Sequence, residues 1–331
     1  MPTRKTYLSL MTLFLALGGL LFAVRRCQSP SRTFRLRIAT LNTHLLPHVG
    51  EAFASNRGQS EYRAGKIGRW SNDYDLVGLC EVFDDGHRQS LLDAAQSASF
   101  DALWTPKPPG AQFANSGLVL LTRFPIVVHH AITYEHASRF LTHGFRADAF
   151  AAKGALHARI LVCRQPLLLA DCFLTHLESR SGVARARQLE DLARFIAEHG
   201  GADRAAILLG DLNVPADPPQ GSSPSNSEYG RLLAALRASG LPWGDVWPHA
   251  GRGPAGTSDP LTEDGGQRID YIFFSPLRSA GSSPWRPIRA HALRLLDDKV
   301  QEGSLSDHAA VDCEAELRRP MLAVAAACHG P

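Results

Sequence analysis

The chain has 331 residues, 44% of them hydrophobic and 20% charged, with no repetitive or low-complexity stretch, which excludes a disordered chain or a repeat array and leaves enough apolar residues for a large core. Its formal charge of +3 is unevenly placed: the first fifty residues hold seven basic side chains and no acid, leaving 28 Lys and Arg against 32 Asp and Glu, about −4, over residues 51–331. That body lacks the basic footprint of a duplex-DNA enzyme.

Tyr7 to Val24 is a run of eighteen mostly apolar residues between Arg4-Lys5 and Arg25-Arg26. It is long enough to span a bilayer and reads as a signal-anchor or uncleaved signal, with a cleaved secretory signal as the alternative. The expected location is membrane-associated through this segment, or secreted or periplasmic if it is removed, with the side of the membrane left open. The flanking arginines would favour anionic phospholipid headgroups. Residues 1–30 are therefore set apart as a leader, 31–318 as one large body and 319–331 as a tail.

Within the body, Arg35 to Leu41 alternates polar and apolar residues and reads as a half-buried strand. Ser60 to Trp70 and Gly86 to Ala98 read as helices around an apolar strand ending at Glu81. Gly117–Thr122, Ile126–Thr133, Lys153–Val162 and Leu167–Thr175 read as strands with short turns, hence antiparallel pairing. Val183 to His199 is the clearest helix, with Leu189, Leu192, Phe195 and Ile196 on one face. A strand then ends at Asp211, a helix follows from about Glu228 to Ala238, and strands come at Ile269–Phe274, near Ile288–Leu295 and at Ala309–Glu316. The loops Val214–Ser227 and Gly251–Gln267 either frame a substrate entrance or are plain linkers. Six cysteines show no zinc spacing; Cys163 and Cys172 flank a turn, and one disulfide between them is left open.

Most of these apolar runs end or begin on a polar group: Asn42, Glu81, His176, Asp211 with Asn213, Asp270, and Asp307 with His308. Carboxylates and amides hold hard cations such as magnesium, and histidines with acidic partners move protons. The combination points to metal-assisted hydrolysis, with a phosphate ester as substrate.

The order of Leu41-Asn42-Thr43-His44, Cys80-Glu81-Val82-Phe83-Asp84, Asn115-Ser116-Gly117-Leu118, Thr175-His176-Leu177, Gly210-Asp211-Leu212-Asn213, Arg268-Ile269-Asp270-Tyr271 and Ser306-Asp307-His308 resembles the endonuclease/exonuclease/phosphatase superfamily, the fold of deoxyribonuclease I. The Glu-Val-Phe-Asp stretch and Asp148 to Lys153-Gly154 resemble its neutral sphingomyelinase branch. The resemblance implies an α/β fold, a four-layer sandwich of two packed mixed sheets flanked by helices. It implies Glu81 as principal magnesium ligand with Asn42 beside it, manganese being a second candidate ion. Asp211 would orient or deprotonate the attacking water and Asn213 would hydrogen-bond the phosphate. His308, oriented by Asp270, would share the base role. Asp307 would bind a second cation or support the site, and His176 would stabilise a phosphoryl oxygen or help the leaving alkoxide. Asp148 and Lys153 would form a switch in which Lys153 reaches the catalytic conformation; an ordinary loop with a solvated Lys153 is the alternative.

Phe83 offers an aromatic face for choline, or is a core residue; Tyr271 carries the same ambiguity. His44, His143 and His157 read as structural. The expected activity is magnesium-dependent hydrolysis of sphingomyelin, or a related choline phospholipid, to ceramide and phosphocholine at a membrane, with no nucleic acid partner. The alternatives are an endonuclease of the same fold and a catalytically inactive membrane adaptor. An inositol-phosphate phosphatase fits less well, because Arg268, Ile269 and Tyr271 around Asp270 depart from that group's Trp-Cys-Asp-Arg signature.

Overall fold

Twelve strands form two six-stranded sheets among the residues that the computed structural model describes, namely 33–46, 59–95, 100–106, 115–136, 152–164, 167–216, 227–263, 265–276 and 284–318. The leader run Tyr7–Val24, Cys27, Cys328, His143, Asp148, most of the Val214–Ser227 loop and the tail 319–331 lie outside these residues. In chain order the elements are β1 (Thr33–Leu45), α1 (Ser60–Ser71), β2 (Leu76–Val82), α2 (Asp85–Ala95), β3 (Asp101–Trp104), β4 (Val119–Thr122), β5 (Ile126–Thr133), β6 (Gly154–Arg164), β7 (Leu167–His176), α3 (Gly182–His199), β8 (Ala205–Asp211), α4 (Glu228–Ala238), β9 (Gly244–Asp245), α5 (Trp247–Ala250), β10 (Asp270–Ser275), β11 (Trp285–Leu293) and β12 (Ala310–Arg318). Among them no helix is long and apolar enough to cross a membrane.

The first sheet runs β11-β12-β1-β2-β4-β3 and the second β5-β6-β7-β8-β10-β9. Each is mixed. The β1–β2 and β7–β8 pairs are parallel, joined through α1 and α3, and the remaining pairs are antiparallel. The expected four layers are present. Ile38, Cys80 and Leu120 of the first sheet meet Leu156, Leu174, Leu209 and Ile272 of the second in the central core. Ala39, Leu41 and Val77 pack outward against Ile67 of α1 and Leu91 of α2. Phe173, Leu208 and Phe273 pack against Leu189, Leu192 and Phe195 of α3 and Leu232 of α4. Each fully buried Leu or Phe contributes about 2 kcal/mol, so the layers hold each other through both faces of each sheet.

The alternation that predicts a half-buried β1 applies only to its first half. Arg35 and Arg37 are exposed, whereas Ala39, Thr40, Leu41 and Asn42 are all buried, because helices and the second sheet cover both faces there. The helix α3 starts where Ser181 Oγ accepts a bond from Ala184 N at 3.2 Å, one of the orphan amides of a helix start. The pair Cys163 and Cys172 forms no disulfide. Cys172 is a free buried thiol opposite Ala158, and Cys163 stands opposite Leu168, so register directs the two side chains to different partners.

Candidate active site

The parallel strands β1, β2, β7 and β8 all run toward one end of the sandwich, and that end carries the predicted residues. β1 delivers Asn42, β2 Glu81, β7 His176 and β8 Asp211. β10 starts there with Asp270, and the turn before β12 brings Asp307 and His308. Three residues at these strand ends have left-handed backbones: His44 at φ 50°, Glu81 at φ 61° and Asn213 at φ 50°. A side chain at such a φ costs energy. Here it turns the chain out of the sheet just where the functional groups sit.

Asp211 is the hub. Its Oδ1 accepts from the Asn213 backbone N–H at 2.9 Å, and its Oδ2 accepts from Asn42 Nδ2 at 3.0 Å and Asn213 Nδ2 at 3.2 Å. Burial and the neighbouring Asp270 carboxylate push its pKa up to about 7. Asp270 Oδ2 accepts from His308 Nδ1 at 2.8 Å, while His308 Nε2 faces Asp211 Oδ2 at 4.0 Å. Burial opposes charge on His308, but Asp270, Asp211 and Asp307 outweigh it and raise the imidazole well above the usual histidine range. Asp211 and His308 thus form a pair able to hold and pass a proton near neutral pH.

Lys153 is not solvated. It is 1% exposed, and its Nζ lies 2.8 Å from His176 Nε2 and 3.3 Å from Nδ1. Burial first, then the charges of Lys153 and His308, hold the His176 pKa well below its ordinary value. A neutral His176 accepts from Lys153, with its Nε2 also 3.5 Å from Glu81 Oε1 and 3.5 Å from Asp211 Oδ2. This overturns the reading of Lys153 as a solvated loop residue.

Two expected roles shift. Asn213 Nδ2 donates to Leu177 O at 3.0 Å as well as to Asp211, so its amide hydrogens are committed within the site. It positions Asp211 rather than offering both hydrogens to a phosphate. Phe83 is buried against Gly117, where an added Cβ would lie 2.6 Å from the Phe83 ring and 3.0 Å from Glu81 Cα. It walls the Glu81 turn from behind instead of presenting an open face. Tyr271 is likewise core, its hydroxyl donating to Val214 O.

Sequence reasoning missed the residues that hold these groups. His44 Nδ1 lies 2.8 Å from Asp307 Oδ2; despite burial, Asp307 raises the His44 pKa, and His44 in turn depresses that of Asp307. Arg63 is fully buried and donates to Thr43 O at 3.1 Å, His44 O at 2.8 Å and Leu305 O at 2.9 Å, tying the turn after Asn42 to the turn before His308. The one available signal was an arginine adjoining Ala64 on the apolar face of a helix. Ser306 Oγ donates to Asn42 O at 2.6 Å and accepts from His308 N at 3.1 Å. In the Gly251–Gln267 loop, Thr257 Oγ1 accepts from Asp270 N at 3.2 Å and its carbonyl accepts from Ala309 N at 2.8 Å. That loop braces the site from within.

The donor set fits a hard divalent cation. Glu81 brings a half-buried carboxylate, Asn42 an amide oxygen, and Asp270 Oδ1 is buried with no hydrogen-bond partner. Oxygen donors of this kind suit magnesium or manganese. The Asp211, Asp270 and His308 group also has the spacing to hold a metal ion, although the Nδ1 of His308 is already bonded to Asp270.

Two mixed sheets back to back, with acids, amides and imidazoles at one rim, define a hydrolase class of fold whose rim has groups able to hold a metal ion. The sequence pattern of the endonuclease/exonuclease/phosphatase family matches residues 39–308, and the chain belongs to that family. It is 28% identical over 194 residues to sphingomyelin phosphodiesterase 5 of Danio rerio, a match covering 51% of this chain and 34% of that protein. The chain therefore spans about a third of the length of that curated relative. Sphingomyelinase C from Streptomyces griseocarneus superposes with a TM-score of 0.62 at 21% identity, over 85% of this chain and 99% of that one. A beta toxin variant from Staphylococcus aureus with bound magnesium ions gives 0.63 at 18% identity, over 85% and 99%. A mannosyl-6-phosphatase of Bacteroides thetaiotaomicron gives 0.60 at 18%, over 85% and 99%. These structures share the fold; within the family, the sequence is similar to the sphingomyelinases.

Proposed function

We propose that this protein is a magnesium-dependent phosphodiesterase that cleaves sphingomyelin, or a related choline phospholipid, into ceramide and phosphocholine at a membrane surface. The observation that carries the reading is the buried Lys153 set on His176, whose Nε2 lies 3.5 Å from Glu81 Oε1 and 3.5 Å from Asp211 Oδ2. A fixed cation in a dry pocket is suited to the charge that gathers on phosphoryl oxygens as water attacks phosphorus. The relatives named sphingomyelinases support the lipid substrate, and so does the absence of a basic body.

A divalent ion held by Glu81 and Asn42 would neutralise phosphate charge and lower the barrier to attack. The Asp211–His308 pair takes the proton of the attacking water, with Asp270 holding the imidazole in orientation. Asn213 and Asn42 fix the Asp211 carboxylate for that transfer. Neutral His176 keeps the Lys153 Nζ in place, where it counters charge on the phosphate.

Purified protein incubated with sphingomyelin liposomes should release phosphocholine with magnesium, lose that activity in EDTA and regain it when magnesium is restored. Chelator indifference would refute the metal assignment. Nicking of plasmid DNA with no phosphocholine released would replace the lipid reading with the nuclease one.

A further inference from the structure

A second cluster of histidines stands away from the catalytic end. His130 and His157 are direct partners across β5 and β6, and His199 is the last residue of α3. One ring nitrogen of each lies within 4.8 Å of the others. The rings of His130 and His199 stack at 3.9 Å with 8° between their planes, and each is 5.6 Å from the ring of His157. His157 is three residues along β6 from Gly154, roughly 10 Å from the catalytic end, and it contacts Phe173 on the sheet face that α3 covers.

His157 is the fixed member. It is fully buried, and its Nε2 lies 3.1 Å from Asp171 Oδ1. Asp171 also accepts from Arg159 Nε at 2.8 Å and Arg204 Nε at 2.8 Å. Burial works against its charge, but these three donors hold its pKa below the ordinary carboxylate value. An ionised carboxylate only accepts, so the His157 proton sits on Nε2. Its Nδ1 is then a bare lone pair, buried and without a hydrogen-bond partner. A buried acceptor left unsatisfied is costly. An imidazole with one nitrogen bonded to a carboxylate and the other free toward further imidazoles is how metal-binding histidines are held.

We propose that His130, His157 and His199 form a site for a borderline transition-metal ion of the zinc, nickel or copper class, separate from the catalytic centre. Imidazole nitrogen suits these ions and not magnesium, so the two sites sort ions by donor chemistry. Stacked rings direct their lone pairs along parallel lines, so uptake turns the exposed His130, on the edge strand β5, to aim its nitrogen at the ion. Glu198, with Oε2 3.9 Å from His199 Nε2, or a water completes four-coordination. The bound ion clamps the end of α3 to the sheet edge.

The test uses the full chain saturated with magnesium and titrated with zinc by calorimetry. One zinc per chain is expected, with affinity weakened more than about tenfold in His130→Ala and in His199→Ala, and unchanged in Asp211→Asn. Cobalt in place of zinc should give the visible absorption of a four-coordinate nitrogen site, lost in both histidine variants. Thermal melts without zinc check that these variants are folded. No zinc uptake by the wild-type chain, uptake indifferent to both histidine changes, or uptake lost in Asp211→Asn would each overturn the proposal.

Discussion

With Lys153 Nζ 2.8 Å from His176 Nε2 in a buried pocket, one residue brings a charge to the site and adds to the burial that lowers its neighbour's pKa. Lys153→Met keeps the volume and removes the charge. Turnover should fall by about a hundredfold to a thousandfold, as for other fixed donors that meet transition-state charge. The urea midpoint should hold or rise, because a buried charge is replaced by an apolar chain. A loss of stability with turnover retained would return Lys153 to a structural role. Glu81 makes the complementary case. Its φ of 61° is unfavourable for a glutamate and free of that cost for glycine. Glu81→Gly should therefore abolish turnover while stability, measured by urea denaturation in EDTA, is held or raised by up to about 1 kcal/mol. A marked loss of stability would show that the turn is not strained.

At the scale of elements, the site depends on strands approaching closely enough to align their ends. Gly210 has φ 138°, and a Cβ there would lie 1.9 Å from Thr175 O of the adjoining β7. Only glycine lets β7 and β8 pair right up to His176 and Asp211, which face each other in register. Gly210→Ala should push the two strands apart, costing about 2 kcal/mol or more and lowering turnover with it. An unchanged thermal midpoint would contradict this. Asp171 works midway along β7, gathering His157 of β6, Arg159 of β6 and Arg204 just before β8. Its folded pKa lies below the ordinary 3.8. Its contribution is therefore complete above about pH 4 and disappears as pH falls through the folded value. Asp171→Asn should cost about 3 kcal/mol at neutral pH and flatten the decline in stability below pH 4. A variant with the same acid slope as wild type would exclude that linkage.

Across the whole molecule, the catalytic end is assembled from both sheets. Asn42 and Glu81 come from the first, and His176, Asp211 and Asp270 from the second; Asn42 Nδ2 crosses to Asp211 Oδ2 at 3.0 Å. The central core therefore fixes the distance between the Asn42–Glu81 and Asp211–Asp270 groups, and loosening either sheet separates them. Gly78 shows how tightly the layers close: a Cβ there would lie 2.8 Å from Leu174 of the other sheet.

Strand and helix periods were legible because they are local. The apolar stripe of α3 and the buried runs of β2, β8 and β10 follow from neighbours along the chain, and the polar residue closing each run marks the rim. The short β3 and β9 were not legible, since four and two residues carry too little pattern. The sequence also supplied the set of polar side chains that the fold gathers at one rim. Only the tertiary structure decided their states. Burial of Lys153, the raised pKa of Asp211, the committed amide of Asn213 and the clustering of His130, His157 and His199 arise where distant segments meet. Charge, solvation and hydrogen bonding depend on what surrounds a group in space, which no reading along the chain contains.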